Sequence, residues 1–343
     1  MAFQFGFSND EDGDSKQDDA SATGGVIHTP PPDARPVQEH ALKNLLDTLP
    51  DRLSYSTVRI ESPTGRVLHL PRRELYDARV QLIAEGSNDD IVDQLDTSDL
   101  RSGVYEGGFK TWECALDLAS LLLDRGPRKD IDELIRCDQI IELGAGTAIP
   151  TLVLFQHALT NGIPLNFVLA DYNDAVLRLV TLPNLLLTWA FNTDDKDFRN
   201  PELDSNSKGD LELSEALLQR FVADLTHKNI NLMFLSGSWS GALASSIPQS
   251  APDAGSVILA AETIYSPEST IAFVELLATL LKRVKMAKAM IGAKRMYFGV
   301  GGSVDGLKEA CREQGAVAYE IENHGVPGMD SGVGRALVEV QMY

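Results

Sequence analysis

The chain has 343 residues, 43% of them hydrophobic, which is enough for an ordinary buried core in one large domain or two small ones. Its formal net charge of −20 argues against direct binding of nucleic acid through phosphates, which takes a basic face, and favours a basic partner. No apolar run of about 18 residues and no basic N-terminus followed by an apolar stretch is present, so neither a membrane span nor a secretory signal is expected and the chain reads as intracellular.

Three cysteines, Cys114, Cys137 and Cys311, are too few and too scattered for a disulfide framework or a zinc site. In chain order, Phe3, Phe5 and Phe7 alternate with polar or small residues, and residues 8–36 are rich in Asp, Ser, Gly and Pro. Such a composition cannot bury enough surface to offset ordering, so residues 1–40 are expected to be a disordered acidic tail. Residues 41–100 form an extension. It has a helix over Ala41 to Leu49, two strands (Tyr55 to Ile60 and Arg66 to Leu70) joined across Pro63-Thr64-Gly65, a helix over 72–84 and an acidic linker.

A glycine-rich segment from Gly103 to Glu113 then leads into a helix over Cys114 to Leu123, and glycines beside aromatics suggest a loop across a pocket. From residue 139 onward strands and helices alternate. Strands are expected at Gln139 to Leu143, Leu165 to Ala170, Asn231 to Leu235, Ser256 to Ala261, Ala293 to Gly299, Ala316 to Ile321 and Ala336 to Met342. Helices are expected between most of them, at Ile149 to Leu159, Ala175 to Ala190, Ser214 to Thr226, Ser269 to Val284 and Val304 to Gln314, with an acidic insertion over 192–212. Alternation of this kind predicts an α/β fold with a mostly parallel sheet covered on both faces, and the last two strands, lacking a helix between them, should pair antiparallel at one edge. Residues 101–343 thus read as a seven-stranded Rossmann-like domain of the kind used by S-adenosylmethionine-dependent methyltransferases.

The most informative run is Glu142-Leu143-Gly144-Ala145-Gly146, a strand end followed by two glycines that let backbone N–H groups and a helix N-terminus approach a ligand. An acid directly before the glycines disfavours a pyrophosphate and suits the sulfonium and ammonium of S-adenosylmethionine better than NAD. At the next strand end, Asp171-Tyr172-Asn173 offers a carboxylate for ribose hydroxyls, or alternatively a helix cap. The third strand end, Gly237-Ser238-Trp239, presents an indole that can pack on an adenine or serve as a core anchor. At the fourth, Glu262-Thr263-Ile264-Tyr265 stands where an acceptor would meet the methyl donor. His324, in the last loop, reads as structural or solvated, and no metal-ligand pattern is present.

Glu106-Gly107-Gly108-Phe109-Lys110-Thr111-Trp112-Glu113 taken with the four strand-end motifs resembles the family of protein-histidine N-methyltransferases. This branch of the seven-strand enzymes also contains protein-lysine methyltransferases. The resemblance covers roughly residues 100–343 and implies S-adenosylmethionine as cofactor, a histidine of a basic large-subunit ribosomal protein as acceptor, and action in the cytoplasm and nucleus. By motif it carries Trp112, Glu142, Gly144, Gly146, Asp171, Asn173, Gly237, Ser238 and Trp239 to the cofactor site, and Glu262 and Tyr265 to the acceptor side, where one of them would bind the far ring nitrogen and fix the tautomer. Ala148 stands where many relatives have glycine. A lysine methyltransferase, a non-catalytic chaperone for a basic protein and a Rossmann dehydrogenase are the alternative readings.

Overall fold

The computed structural model describes residues 35–85, 108–125, 137–193, 203–204, 206–251, 253–322, 325–329 and 333–343. The Phe3 to Phe7 patch, the tail through residue 34, the linker over 86–100, Glu106, Gly107, residues 194–202 and 205 of the acidic insertion and His324 lie outside the described residues.

Strand β4 (Cys137–Leu143) is buried on both faces, as a central strand between two helical layers must be. Parallel to it run β5 (Leu165–Asp171) on one side and β8 (Gly255–Ala261) on the other. Beyond β5 lies β7 (Ile230–Ser236), and beyond β8 lies β9 (Lys288–Lys294). Strand β11 (Arg335–Met342) pairs antiparallel with β9, and β10 (Ala316–Glu320) pairs antiparallel with β11. These are seven strands, the number expected, in a mostly parallel sheet with an antiparallel hairpin at one edge.

An eighth strand, β1 (Gln38–His40), pairs antiparallel with β7 and becomes the outer edge. The segment was expected to be disordered for want of apolar residues. Its order comes from the unpaired backbone groups along the edge of β7, which a polar segment can satisfy as well as an apolar one. Strand β9 also corrects an expectation, because it spans Lys288–Lys294 rather than Ala293 to Gly299. Lys288, its first residue, is buried with Nζ 3.4 Å from Glu339 Oε2 on β11.

Side chains alternate along the strands. Ile140, Phe167, Leu169, Phe234 and Leu259 face one core with α3 (Glu113–Arg125), α4 (Ile149–Asn161), α5 (Asp174–Asn192) and α6 (Glu215–His227). Ile141, Val168, Leu235, Ile258 and Ile291 face the other, with α7 (Gly241–Ser246), α8 (Pro267–Arg283) and α9 (Val304–Glu313). Helix α5 contains a π-turn at Leu177–Thr181 and is long and apolar enough by composition to cross a membrane, but 78% of its most apolar window is buried in the core. Before the large sheet come α1 (Leu42–Leu46), the hairpin β2 (Arg52–Glu61) and β3 (Val67–Arg73), and α2 (Leu75–Ala84). The end of the acidic insertion adds β6 (Lys208–Glu212) to β2, completing a three-stranded sheet whose Leu53, Ile60, Leu70 and Leu211 join the first core.

Candidate functional site

Because β4, β5, β7, β8 and β9 run parallel, their C-terminal ends gather on one edge of the sheet, and β4 lies where the strand order reverses. Open α/β sheets bind ligands in that crevice. Four sequence motifs arrive there together: the glycine loop after β4, Asp171 to Asn173 after β5, Gly237 to Trp239 after β7 and Glu262 to Tyr265 after β8.

The glycine loop is held by its neighbours. Gly144 (φ +72°) and Gly146 (φ +51°) take left-handed backbone conformations, and the N–H groups of Gly144 and Ala145 both donate to the Ala170 carbonyl at 2.9 Å. Ala148 is also left-handed at φ +56°, although it carries a side chain. A Cβ on Gly146 would lie 3.2 Å from the Gly108 carbonyl oxygen, so the loop and the segment leading to Trp112 touch through backbone. Thr111 and Thr147 join the same two segments by a hydroxyl pair at 3.1 Å.

Two carboxylates brace this loop from inside. Glu142, 1% exposed, accepts the Thr151 N–H at 3.2 Å and so anchors the first turn of α4. Burial pushes its carboxyl up to about 8, against the opposing pull of the Thr151 bond. Asp171 accepts the Gly146 N–H at 3.0 Å and the Asn173 N–H at 3.2 Å, and burial pushes it up to about 6. The Asp171 carboxylate is thus a tie between two strand ends, with acceptor capacity left over.

At the β5 and β7 end, Arg35 lies across the motifs. Its Nη1 donates to Asn173 Oδ1 at 2.5 Å and its guanidinium sits 4.7 Å from the Tyr172 ring centroid. Its backbone N–H donates to Ser238 Oγ at 2.9 Å, and its carbonyl accepts the Ser238 N–H at 3.2 Å. Gly237, at φ +134°, permits this crossing, since a Cβ there would lie 2.9 Å from the Pro36 carbonyl oxygen. Trp239 is half-buried, edge-on to Phe273 at 6.2 Å, with Cζ2 4.0 Å from a Cβ placed on Gly144. The indole is both core anchor and wall of the crevice.

At the β8 and β9 end, Glu262 is left-handed at φ +59° and its N–H donates to the Gly292 carbonyl at 2.9 Å. Its side chain is 7% exposed, with Lys294 Nζ 3.8 Å from Oε1. That oxygen has no hydrogen-bond partner among the described residues, and neither has the buried Thr263 hydroxyl. Burial, together with the facing Glu262 carboxylate, raises the Cys114 thiol and the Tyr297 hydroxyl above their ordinary values. Lys294 also lies 5.1 Å from the Trp112 ring centroid. Tyr265 packs on the second core, and its carbonyl accepts the Gly302 N–H at 3.0 Å, folding the turn that carries Tyr297 onto this corner.

Trp112 thus lies beside Lys294, the residue that also meets Glu262. Lys294, Tyr297 and Arg35 are the site residues that sequence reasoning missed. For the first two the available signal was the aromatic and charged cluster Lys294 to Phe298, hidden by placing β9 five residues late.

S-adenosylmethionine, the group expected here, is tested by the donor set. The crevice offers backbone left bare by two glycines, buried carboxylates and orphaned acceptors, which suits a cationic, amine-bearing ligand. Among the described residues no group of His, Cys, Asp and Glu could hold a metal ion.

No protein-family model matches the chain. It is 40% identical over 274 residues to histidine protein methyltransferase 1 of Schizosaccharomyces pombe, covering 78% of this chain and 75% of that one. To histidine protein methyltransferase 1 of Saccharomyces cerevisiae it is 36% identical, covering 77% and 73%. The bovine homologue is 29% identical, covering 71% and 57%.

Proposed function

The chain belongs to the histidine protein methyltransferase family, and from that premise we propose that it methylates an imidazole nitrogen of a histidine in a basic large-subunit ribosomal protein, in the cytoplasm and nucleus. S-adenosylmethionine is the donor, and when bound it supplies an electrophilic methyl group on a cationic sulfur. Gly144, Gly146, Asp171, Asn173, Ser238 and Trp239 would hold it, with Glu142 fixing the loop from behind.

The observation that carries the acceptor reading is Glu262 Oε1, which is buried, accepts no hydrogen bond among the described residues and meets Lys294 Nζ only at ion-pair distance, 3.8 Å. An unmet acceptor in such a place costs about 1–3 kcal/mol, which an imidazole N–H would relieve. Accepting that N–H leaves the lone pair of the other ring nitrogen directed away from Glu262 for attack. A free histidine has a pKa near 6.5, so at neutral pH most imidazoles already carry that lone pair and no strong base is required. With the C–S bond of the donor exchanged for the new N–C bond the ring would be cationic, and Glu262 would stabilise it until the far nitrogen gives its proton to solvent.

Two features support a protein acceptor. Met296, Phe298 and Val300 are 52%, 78% and 43% exposed on the turn that carries Tyr297, giving an apolar lip beside the corner. The acidic chain also complements a basic polypeptide. The test is incubation with labelled cofactor and an extract of cells lacking the enzyme, followed by mass-spectrometric location of the label. Methylhistidine in a large-subunit ribosomal protein is expected. Label on lysine, or binding of a ribosomal protein without transfer, overturns the reading.

A further inference from the structure

The acceptor corner already contains an amine. Lys294, the last residue of β9, places Nζ 3.8 Å from Glu262 Oε1 and 3.9 Å from Glu113 Oε2. The same nitrogen lies 5.1 Å from the Trp112 ring centroid and 5.9 Å from that of Tyr297. Two carboxylates and two aromatic faces around one ammonium are the surroundings in which a protein recognises a lysine side chain. Here a residue of the chain itself fills them, with its side chain only 19% exposed.

We infer that Lys294 is a specificity-determining residue: it occupies the cation position of the acceptor corner and so excludes lysine while admitting the neutral ring of histidine. The inference rests on the histidine reading given above and adds the means of discrimination. An incoming ammonium must displace Lys294 or lie beside it. The Lys294 charge about 5 Å away, at an effective dielectric near 20, cancels on the order of a hundredfold of the attraction that Glu262 and Glu113 would otherwise exert on it. A neutral imidazole does not depend on that attraction, and its N–H can still reach Glu262 Oε1. The same positive charge offsets the pull of the two carboxylates toward a protonated imidazole, which keeps its lone pair available. A lysine acceptor must first lose a proton to solvent. Its nitrogen lone pair then forms the N–C bond while the C–S bond breaks with its electrons onto sulfur, and that first step needs the amine to sit in the corner at all.

The test compares the full-length chain with Lys294→Met, Lys294→Gln and Lys294→Arg. The probes are a synthetic peptide spanning the histidine that the unaltered chain labels and the same peptide with lysine in its place. Binding is read by calorimetry with S-adenosylhomocysteine, where no turnover occurs, and the methylated residue is read by mass spectrometry with S-adenosylmethionine. The unaltered chain and Lys294→Arg are expected to bind the lysine peptide about a hundredfold more weakly than the histidine peptide. Lys294→Met and Lys294→Gln are expected to close that gap by tenfold or more and to methylate the lysine peptide, with the acid limb of their kcat on the histidine peptide moved to higher pH. An unaltered chain that labels lysine overturns the functional reading along with this one. An unaltered chain that labels histidine, while both neutral variants bind cofactor and still refuse the lysine peptide, overturns this inference alone.

Discussion

The Asp171 carboxylate accepts the Gly146 amide at 3.0 Å, so the end of β5 holds the loop that follows β4. The same side chain takes the Asn173 N–H, and both bonds are buried. Asp171→Ala strands two backbone donors and is expected to lower stability by about 2–3 kcal/mol and to weaken cofactor binding at least tenfold. Asp171→Asn keeps one acceptor atom and should lose roughly half as much. Urea melts and cofactor calorimetry check this, and an alanine variant that melts like the parent would refute the tie.

Gly144 faces a second constraint. A Cβ there would lie 2.8 Å from Thr263 Cγ2, and the backbone is left-handed. Gly144→Ala is therefore expected to cost more than the about 1 kcal/mol that an ordinary left-handed position costs a residue with a side chain. Gly162 supplies the control, since its φ is +61° but nothing lies within 4 Å of its would-be Cβ. Gly162→Ala should lose only the conformational part and leave cofactor affinity intact. Adding Thr263→Ser to Gly144→Ala removes the opposing methyl and should recover part of the loss, which a double-mutant cycle measures.

The buried acids predict a pH dependence. Burial raises Glu142 to about 8 and Asp171 to about 6, both above their unfolded values. A raised carboxyl contributes stability that is full below its unfolded pKa and is lost as pH rises through the folded one. Thermal stability without cofactor should fall from about pH 4 to about pH 8, and Glu142→Gln should flatten the upper part of that fall. A cationic ligand in the crevice favours the ionised acids, so its binding should release protons near neutral pH. Calorimetry in buffers of different ionisation enthalpy reads the release, and identical heats in every buffer would count against it.

The strand-end motifs were legible because each joins a β-branched or apolar run to a glycine or acid, and a parallel sheet brings such ends together whatever lies between them. That accounts for Glu142, Asp171, Trp239 and Glu262 in one crevice. What stayed hidden was set by partners distant in sequence. Arg35 is ordered by Asn173 and Ser238, and Lys288 pairs through its backbone with Val257 on β8 while its side chain meets Glu339. With β9 placed five residues late, Lys294 and Tyr297 fell inside a strand instead of at its functional end.

Arg35 closes the β5 and β7 end of the crevice through Asn173, Tyr172 and Ser238. Arg35→Ala removes the charged hydrogen bond and the cation–π contact while leaving the backbone pairing of β1. Cofactor binding is expected to weaken by about tenfold, roughly the 1.5 kcal/mol of a hydrogen bond to a charged group, with little change in melting temperature. Arg35→Lys should restore charge but not the planar contact with Tyr172, and so recover only part. Unchanged affinity in the alanine variant would make the crossing a purely structural feature.

At the acceptor corner the two tyrosines separate by their neighbours. Glu262→Gln keeps shape but removes the charge that stabilises a cationic ring, and is expected to reduce kcat about a hundredfold with cofactor affinity intact. Tyr297 faces Glu262, whereas Tyr265 packs on the second core and meets the Tyr297 turn through its backbone carbonyl. Tyr297→Phe should therefore cost more activity than Tyr265→Phe. The reverse order would return the acceptor role to Tyr265. Phe298 is 78% exposed on the same turn, where an incoming chain would cover it. Phe298→Ser is accordingly expected to raise KM for a protein acceptor about tenfold, the value of one apolar side chain of this size losing part of its burial, while cofactor Kd stays fixed. If KM does not move, the polypeptide reaches Glu262 by another side of the corner, and the apolar lip has no part in docking it.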